Sequence, residues 1–417
     1  MKKTNHIFST KWIAGCIASC MILVACNKEM EQVADTPSAP LTGPTLAEVL
    51  RQEPNDSLYY RLMARGGQLN LLNDTTKYHT VFATENQRIK PVLSGLAASV
   101  GVTLPPNAPD AFFAAFIDQI PVSVAGAIAQ YQILPQVIRS SSISNTFPNF
   151  SYPTIFNPAP TVSALARLNT YPSTRNGAWL NLFPITGVDK SARNGVIHHV
   201  AGLNVPAQRF LWSRISTDPE LTYLKAAILR ADSGVAATGP SSLQWVLSNF
   251  GPDITVFAPV DTAFQNTLKN VIAQALISQG VPAPVAVPTA TFLASTPGVF
   301  TNPLLANALT PQTVKGIVVY HVLGKRAYTN NFPTTQTAYP TLLNTVLTNH
   351  PGVKLTATFN PPFPFVRQAQ VKDVYNNSPA ANIIINASPL TPDPLGTSDQ
   401  NFVNGVMHKI DAVLLPQ

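Results

Sequence analysis

Seven histidines and twenty acidic residues are the groups with which this 417-residue chain could do proton-transfer or metal chemistry. The most suggestive arrangement is His198-His199, two imidazoles in succession. Neighbours on a strand point to opposite faces, so the pair cannot share one ion without a bulge. The expectation is one inward ring hydrogen-bonded in the core and one exposed. His321 ends the series Val314, Ile317, Val318, His321, whose i, i+3, i+4, i+7 spacing is one apolar helix face. His408 lies in a strand pattern beside Val406 and Ile410, in the repeat position of His198. Both rings are expected to be buried, neutral and paired within the fold. Asp218 and Glu220 flank Pro219 and are expected to serve a helix start as cap and dipole partners. The sequence has no His-Glu-x-x-His, Gly-x-Ser-x-Gly, Gly-x-x-x-x-Gly-Lys-Ser/Thr, Gly-x-Gly-x-x-Gly or Cys-x-x-Cys. The expectation is a chain with no catalytic residues, no metal site and no enzymatic activity.

Composition points away from the cytosol. Charged residues are only 11% of the chain, against about 25% in an ordinary soluble protein. Prolines number 38, near twice the usual share of ~5%. The hydrophobic fraction of 45% is ordinary and argues against wholesale disorder. A surface this poor in charge must be covered with Ser, Thr, Asn, Gln and Pro, as in exported proteins. Lys and Arg are spread thinly with no basic run, so nucleic acid is not an expected partner.

The first residues carry the strongest targeting signal. Lys2, Lys3 and Lys11 precede an uncharged apolar run from Trp12 to Ala25. A helix of that length reaches only about 21 Å, short of a bilayer core of about 30 Å, which fits a signal-peptide core. The run ends Leu23-Val24-Ala25-Cys26, which resembles the lipobox of bacterial lipoproteins. The resemblance implies cleavage before Cys26 and a diacylglycerol on its thiol, with no other cofactor. Cleavage removes three lysines and no acid, so the formal charge falls from +7 to +4. It also removes Cys16 and Cys20, so the folded part is expected to have neither a disulfide nor a thiol nucleophile. Residues 26–44 are polar, with prolines at 37, 40 and 44, and read as a tether. Lys28, Glu29 and Glu31 resemble the surface-export signal of Bacteroidetes lipoproteins.

The remainder is an internal repeat. Thr80-Val81-Phe82-Ala83 recurs as Thr255-Val256-Phe257-Ala258, 175 residues later. Tyr131-Gln132 recurs as Tyr320-His321, 189 later, and Asn194-Gly195-Val196-Ile197-His198 as Asn404-Gly405-Val406-Met407-His408, 210 later. Order is kept while offsets grow, so the second copy carries the longer insertions. Domains are expected over 45–206 and 207–417. In the second, Asp218-Pro219 predicts a helix start, with Leu221, Leu224 and Ile228 on one face. Leu243, Val246, Leu247 and Phe250 repeat that spacing before Gly251-Pro252. Residues 254–258 and 383–385 predict strands. Asp261 or Thr262 is expected to cap the helix carrying Phe264, and Asn404-Gly405 to form a type I′ turn. The proline-rich stretches 101–125, 281–312 and 357–366 read as surface insertions, in which Phe292, Phe300, Phe363 and Phe365 either form exposed patches or tuck under their loops. The fold class is α+β, helices packed on a mostly antiparallel sheet.

These anchors resemble a tandem fasciclin-domain protein. The first family block, a strand running into a helix, is matched by Thr255, Phe257, Pro259, Asp261 and Phe264. Tyr320-His321 matches the middle Tyr-His motif, and Asn404, Gly405, His408 and Asp411 with Pro416 match the last block. The first half departs from it, with Thr84 for the proline, Arg88 for the phenylalanine, Gln132 for the histidine and Ala201 for the aspartate. The resemblance implies two fasciclin-like domains, each a wedge-shaped β-sandwich flanked by helices, with motif residues that are mainly structural.

Two binding roles follow. The first is a non-catalytic lipoprotein of the cell envelope, anchored in the outer membrane and displayed at the cell surface, mediating adhesion or matrix contact with an extracellular protein or glycan. The alternative is a carbohydrate-binding lipoprotein beside an outer-membrane glycan-uptake system. Exposed aromatic platforms at Trp179, Trp212 or Trp245 would favour the alternative.

Overall fold

The computed structural model describes residues 42–360, 365–373, 379–387 and 396–416. The chain divides into Met1–Pro37 and Ser38–Gln417, and all described elements belong to the latter. Cys26 and Phe363 lie outside the described residues.

The chain is α+β, and the two halves are built alike. In the first, a six-stranded sheet runs Ile133–Leu134, His79–Ala83, Gly195–Val200, Phe183–Ala192, Trp179–Leu180, Pro172–Ser173. In the second, a four-stranded sheet runs Val322–Leu323, Ile254–Pro259, Gly405–Ile410, Gln400–Phe402. A further sheet, Thr337–Tyr339, Val353–Asn360, Phe365–Asp373, Ala381–Asn382, is joined to it by a single bridge between Ile383 and Ile410. The central pair of each half is parallel, His79–Ala83 with Gly195–Val200 and Ile254–Pro259 with Gly405–Ile410. The other named pairings are antiparallel.

Alternation along the strand Ile254–Pro259 separates two cores. Ile254, Val256 and Ala258, with Met407, pack against helices through Leu224, Ile228, Phe264 and Val314. Phe257 and Ile410 point the other way, onto Leu355, Ala357 and Val371 of the second sheet. The strand is covered on both faces, so residues 405–410 are all buried, and its two polar members, His408 and Lys409, are each paired inside the fold. Phe257 alone contributes roughly 1.5–3 kcal/mol of burial, and truncation to alanine would cost about 3–5 kcal/mol through the cavity left between the sheets. Val81 and Phe82 divide in the same way in the first half.

Several sequence expectations are corrected. The helix expected to begin at Asp218-Pro219 begins at Thr222 and runs to Ala231, because the preceding residues form a turn tied down by Asp218. Leu221, Leu224 and Ile228 are nonetheless buried as their spacing predicts. The C-terminal hairpin turns one residue early: Phe402 pairs with Gly405, so Val403 and Asn404 form the loop, and neither Asn404 nor Gly405 has positive φ. The strand expected over 383–385 lies at Ala381–Asn382.

Two of the proline-rich stretches, 101–125 and 281–312, are largely helical rather than surface loops, and residues 361–364 of the third lie outside the described residues. Residues 101–125 contain the helix Asp110–Gln119 and the start of Val122–Tyr131, with Phe113 and Ile117 in the core. Residues 281–312 contain the helix Ala283–Leu293 and a 3₁₀ turn that buries Phe300. Pro109, Pro121 and Pro282 each occupy the N-cap of a helix, where a missing N–H has no intrahelical acceptor to forfeit. Proline here starts helices. Phe365 belongs to a strand and is partly buried, while Phe292 is 78% exposed.

Candidate functional site

The motif residues of the second half are committed to contacts within it. Thr255 donates from Oγ1 to the Lys325 carbonyl at 2.7 Å and accepts from the Ala327 N–H at 2.9 Å. Thr80 makes the same two bonds to Gln136 and Ile138 in the first half. Phe257 stacks on His408, as Phe82 stacks on His198. Pro259 ends its strand opposite Ile410, and Phe264 is buried against Tyr223. Tyr320 donates to the Gly352 carbonyl at 2.7 Å and Tyr131 to the Asn169 carbonyl at 2.9 Å.

His321 is the C-cap of the helix Pro311–Tyr320. Its Nδ1 lies 2.8 Å from the Ile317 carbonyl, and its Nε2 accepts from the Leu414 N–H at 2.9 Å. Burial pushes its pKa down to about 4, so the ring is neutral with the proton on Nδ1. His408 and His198 carry the opposite tautomer. Their Nε2 atoms face the Ala327 and Ile138 carbonyls, and their Nδ1 atoms accept from the N–H groups of Asp399 and Asp189. Burial lowers both pKa values. His199, expected to be exposed, is only partly so and pairs with the buried Asp56 carboxylate at 2.9 Å.

Asp261 does not cap its own helix, Asp261–Ser278, nor does Thr262. Its carboxylate accepts from the Tyr223 N–H at 3.0 Å and the Thr222 hydroxyl at 2.5 Å, capping Thr222–Ala231 from across the fold. Asn86 does the same for Ser57–Arg65, through the Leu58 N–H at 2.9 Å. Asn404 likewise links elements, accepting from the Leu211 N–H and donating to the Val246 carbonyl. Gly405 must be glycine because a Cβ there would run into the Ile254 carbonyl and the Leu211 side chain. Asp411 is exposed and binds Asn382 through its backbone N–H at 2.7 Å and its amide at 2.9 Å.

Asp218 and Glu220 belong to an ion network rather than to a helix cap. Asp218 lies 2.9 Å from Arg214 and 2.8 Å from Lys409, whose side chain is 2% exposed, and Glu220 lies 2.7 Å from Lys409. Burial tends to raise the Asp218 pKa, but the Lys409 hydrogen bond and both cations hold it below the ordinary range. Among the described residues no group of three His, Cys, Asp or Glu side chains is arranged to hold a metal ion.

A polar seam between the halves went unforeseen. Asn149 accepts from the Tyr328 N–H and donates its own N–H to the Arg326 carbonyl. Asn176 donates to the Asn330 and Phe332 carbonyls, Asn330 donates to the Asn181 carbonyl, and Ser173 to Asn331. Arg326 lies over the Tyr171 ring at 4.8 Å and binds Asp253 at 2.7 Å, while Asp253 also accepts from the Tyr171 hydroxyl at 2.8 Å. Asparagine pairing has no sequence period, so only the unusual density of uncharged amides hinted at it.

Beside this seam lies a cleft of about 320 Å³, lined from the first half by Trp179 and Leu182 and from the second by residues including Asn330, Asn360, Phe365 and Asp399. Trp179 is almost fully buried, its indole N–H bound to the Asn176 carbonyl. Trp212 and Trp245 are partly buried. None of the three is the exposed platform envisaged from sequence. A second cavity, about 140 Å³ and almost wholly apolar, sits among Phe264, Val271, Phe300 and Val314. No single helix among the described residues is long and apolar enough to cross a membrane.

Residues 235–416 match the family model of the fasciclin domain. Among solved structures the chain is similar to a FAS1 domain pair from the insect cell adhesion molecule fasciclin I, with 13% identity and a TM-score of 0.29, over 86% of this chain and 96% of that one. No curated protein matches the chain. No enzyme family is indicated. The matched region spans the strand Ile254–Pro259, Tyr320-His321 and the C-terminal hairpin, so the similarity to the fasciclin domain lies in the second half of this chain.

Proposed function

We propose that the protein is a non-catalytic adhesion or matrix-interaction lipoprotein of the cell envelope, held in the outer membrane by acyl chains on Cys26 and displaying its two halves to an extracellular protein or glycan. The observation that carries this reading is the fasciclin-domain match over residues 235–416, a domain found in cell-adhesion proteins. The site geometry supports it. The histidines and most of the acids reviewed above are spent on caps, turns and ion pairs, as a scaffold requires, while apolar residues such as Phe292 and Leu304 stand exposed. The first half joins as a divergent copy, since Thr80, Asn86, Tyr131 and His198 repeat the bonding of Thr255, Asp261, Tyr320 and His408.

The test compares cells making the wild-type chain with cells making Cys26→Ala. The wild type should incorporate labelled palmitate, sediment with membranes and support adherence to immobilised matrix proteins or glycans. Cys26→Ala should lose the label and the adherence. Labelling that persists in the variant removes the anchor, and adherence equal to that of cells lacking the protein removes the adhesion role.

A further inference from the structure

We infer that the apolar cavity of the second half is a binding site for the end of an aliphatic chain, with room for about six carbons. This goes beyond the adhesion reading and does not depend on it.

The first observation is the chemistry of the walls. The helices Asp261–Ser278 and Pro311–Tyr320 supply Phe264, Leu268 and Ile317, the segment between them Phe300 and Leu309, and the C-terminal residues Val413. None of the described residues lining the cavity is charged, and only Thr267 and Thr313 among them have polar side chains. The Thr313 hydroxyl lies 2.8 Å from that of Thr310, the N-cap of its helix. A buried water makes about three hydrogen bonds to polar groups, which such walls do not offer. Hydrocarbon is the guest that gains there, because it leaves water and meets the walls by dispersion.

The second is size and access. A volume of about 140 Å³ is close to the ~150 Å³ of an apolar cavity that takes up benzene. Pockets that enclose a whole drug-sized ligand run from about 300 to 1,000 Å³, so only one end of a larger molecule enters. The lining also reaches the surface. Val271 is 46% exposed, and Ala308 and Thr313 are exposed as well. A sealed packing defect would be lined by buried residues alone.

The third is the segment that supplies much of the lining. Residues 270–314 contain no Asp, Glu, Lys, Arg or His, in a chain of which 11% is charged. The same stretch holds Phe292 and Leu304, which are 78% and 82% exposed. A surface without fixed charge and with apolar side chains standing in water favours the approach of a hydrocarbon-bearing molecule.

The test places the full chain in phosphatidylcholine nanodiscs and irradiates it with a hexyl-chain alcohol carrying a diazirine near its tail. Mass spectrometry should find the label on residues 264–275 and 300–317. Unlabelled 1-alkanols should compete, each added CH₂ raising affinity about fourfold up to about six carbons and little beyond, measured against free concentration. Ala275→Leu, which takes up space the guest's methylenes need, should cut the labelling about tenfold, while Phe292→Ser labels as wild type. Should Ala275→Leu fail to fold, Ala308→Phe at the exposed mouth takes its place with the same loss expected. A second arm moves the diazirine to the tail end of the phosphatidylcholine. The same residues labelled there name membrane lipid as the source, and labelling by the soluble alcohol alone names a free molecule; both support the site. Label spread over the exposed helix Ala283–Leu293 and undiminished in folded Ala275→Leu would mean adsorption to an apolar surface and overturn the assignment. Absence of label, or competition that keeps rising with chain length as partition into a bilayer does, would overturn it too.

Discussion

The backbone N–H of Leu414 donates to Nε2 of His321 at 2.9 Å, across 93 positions of sequence. Because Nδ1 is bound to the Ile317 carbonyl, the ring must stay neutral to accept that bond. The histidine therefore fastens the chain's last segment to the end of the helix Pro311–Tyr320.

This makes stability pH-dependent with a definite sign. Burial lowers the His321 pKa from 6.5 to about 4, so between those values the unfolded chain binds a proton that the folded chain refuses. Its contribution is complete above pH 6.5, is lost as pH falls towards 4, and amounts to about 3 kcal/mol. In the first half Gln132 makes the corresponding bond to the Ile128 carbonyl at 3.0 Å with no titrating group. His321→Gln should keep most of the neutral-pH stability and flatten the acid limb of urea midpoint against pH. His321→Ala should lose about 1–3 kcal/mol at pH 7 from the missing hydrogen bond alone. An unchanged acid limb in His321→Gln would assign the effect to His408 or His198.

Asp261 caps a helix to which it does not belong. Removing the carboxylate in Asp261→Ala should cost about 1 kcal/mol, the usual value of an N-cap. Asp261→Asn should be nearly neutral, because Asn86 already performs the task with an amide, accepting from the Leu58 N–H and donating to the Ser57 hydroxyl. Thermal melts of the two variants decide it. Equal losses would mean that charge at the helix start matters more than hydrogen bonding.

What could be read from the sequence was local or repeated. The strand Ile254–Pro259, the buried face of Leu221, Leu224 and Ile228 and the buried His321 follow from side-chain spacing and are found as expected. The Asp218-Pro219 start and the Asn404-Gly405 turn were misplaced because tertiary demands outweighed local preference. Asp218 is drawn to Lys409, and Asn404 is drawn to Leu211 and Val246. Proline misled at 109, 121 and 282, since composition does not distinguish a loop proline from one at a helix cap. The seam was invisible because bonds such as Ser173 to Asn331 join residues 158 apart with no shared pattern.

The buried ion cluster should respond asymmetrically. Asp218 is the carboxylate shared by Arg214 and Lys409, so Asp218→Asn withdraws the negative charge both cations face and should cost about 3–5 kcal/mol. Lys409→Met leaves Arg214 on Asp218 and releases Glu220, whose side chain is largely exposed, to water. Its cost should be clearly smaller, below about 2 kcal/mol, since a buried ion pair gains little over apolar packing. Urea denaturation at pH 7 measures both, and Lys409→Met as damaging as Asp218→Asn would contradict the shared-carboxylate arrangement.

The seam predicts how the two halves depend on each other. The main buried clusters are assigned to one half or the other, with Phe147 packing across and Tyr171 meeting Tyr328 and Val406. Fragments 45–206 and 207–417 should therefore each unfold cooperatively. The bond from the Tyr171 hydroxyl to Asp253 exists only when both halves are present. Tyr171→Phe should thus destabilise the full chain and leave fragment 45–206 unchanged. Asp253 is partly exposed, so water compensates part of the loss, and about 1 kcal/mol is expected. A double-mutant cycle with Asp253→Asn in the full chain isolates the coupling, which should account for most of that loss. If Tyr171→Phe weakened the isolated fragment equally, the hydroxyl would act within its own half and the seam would not couple the two.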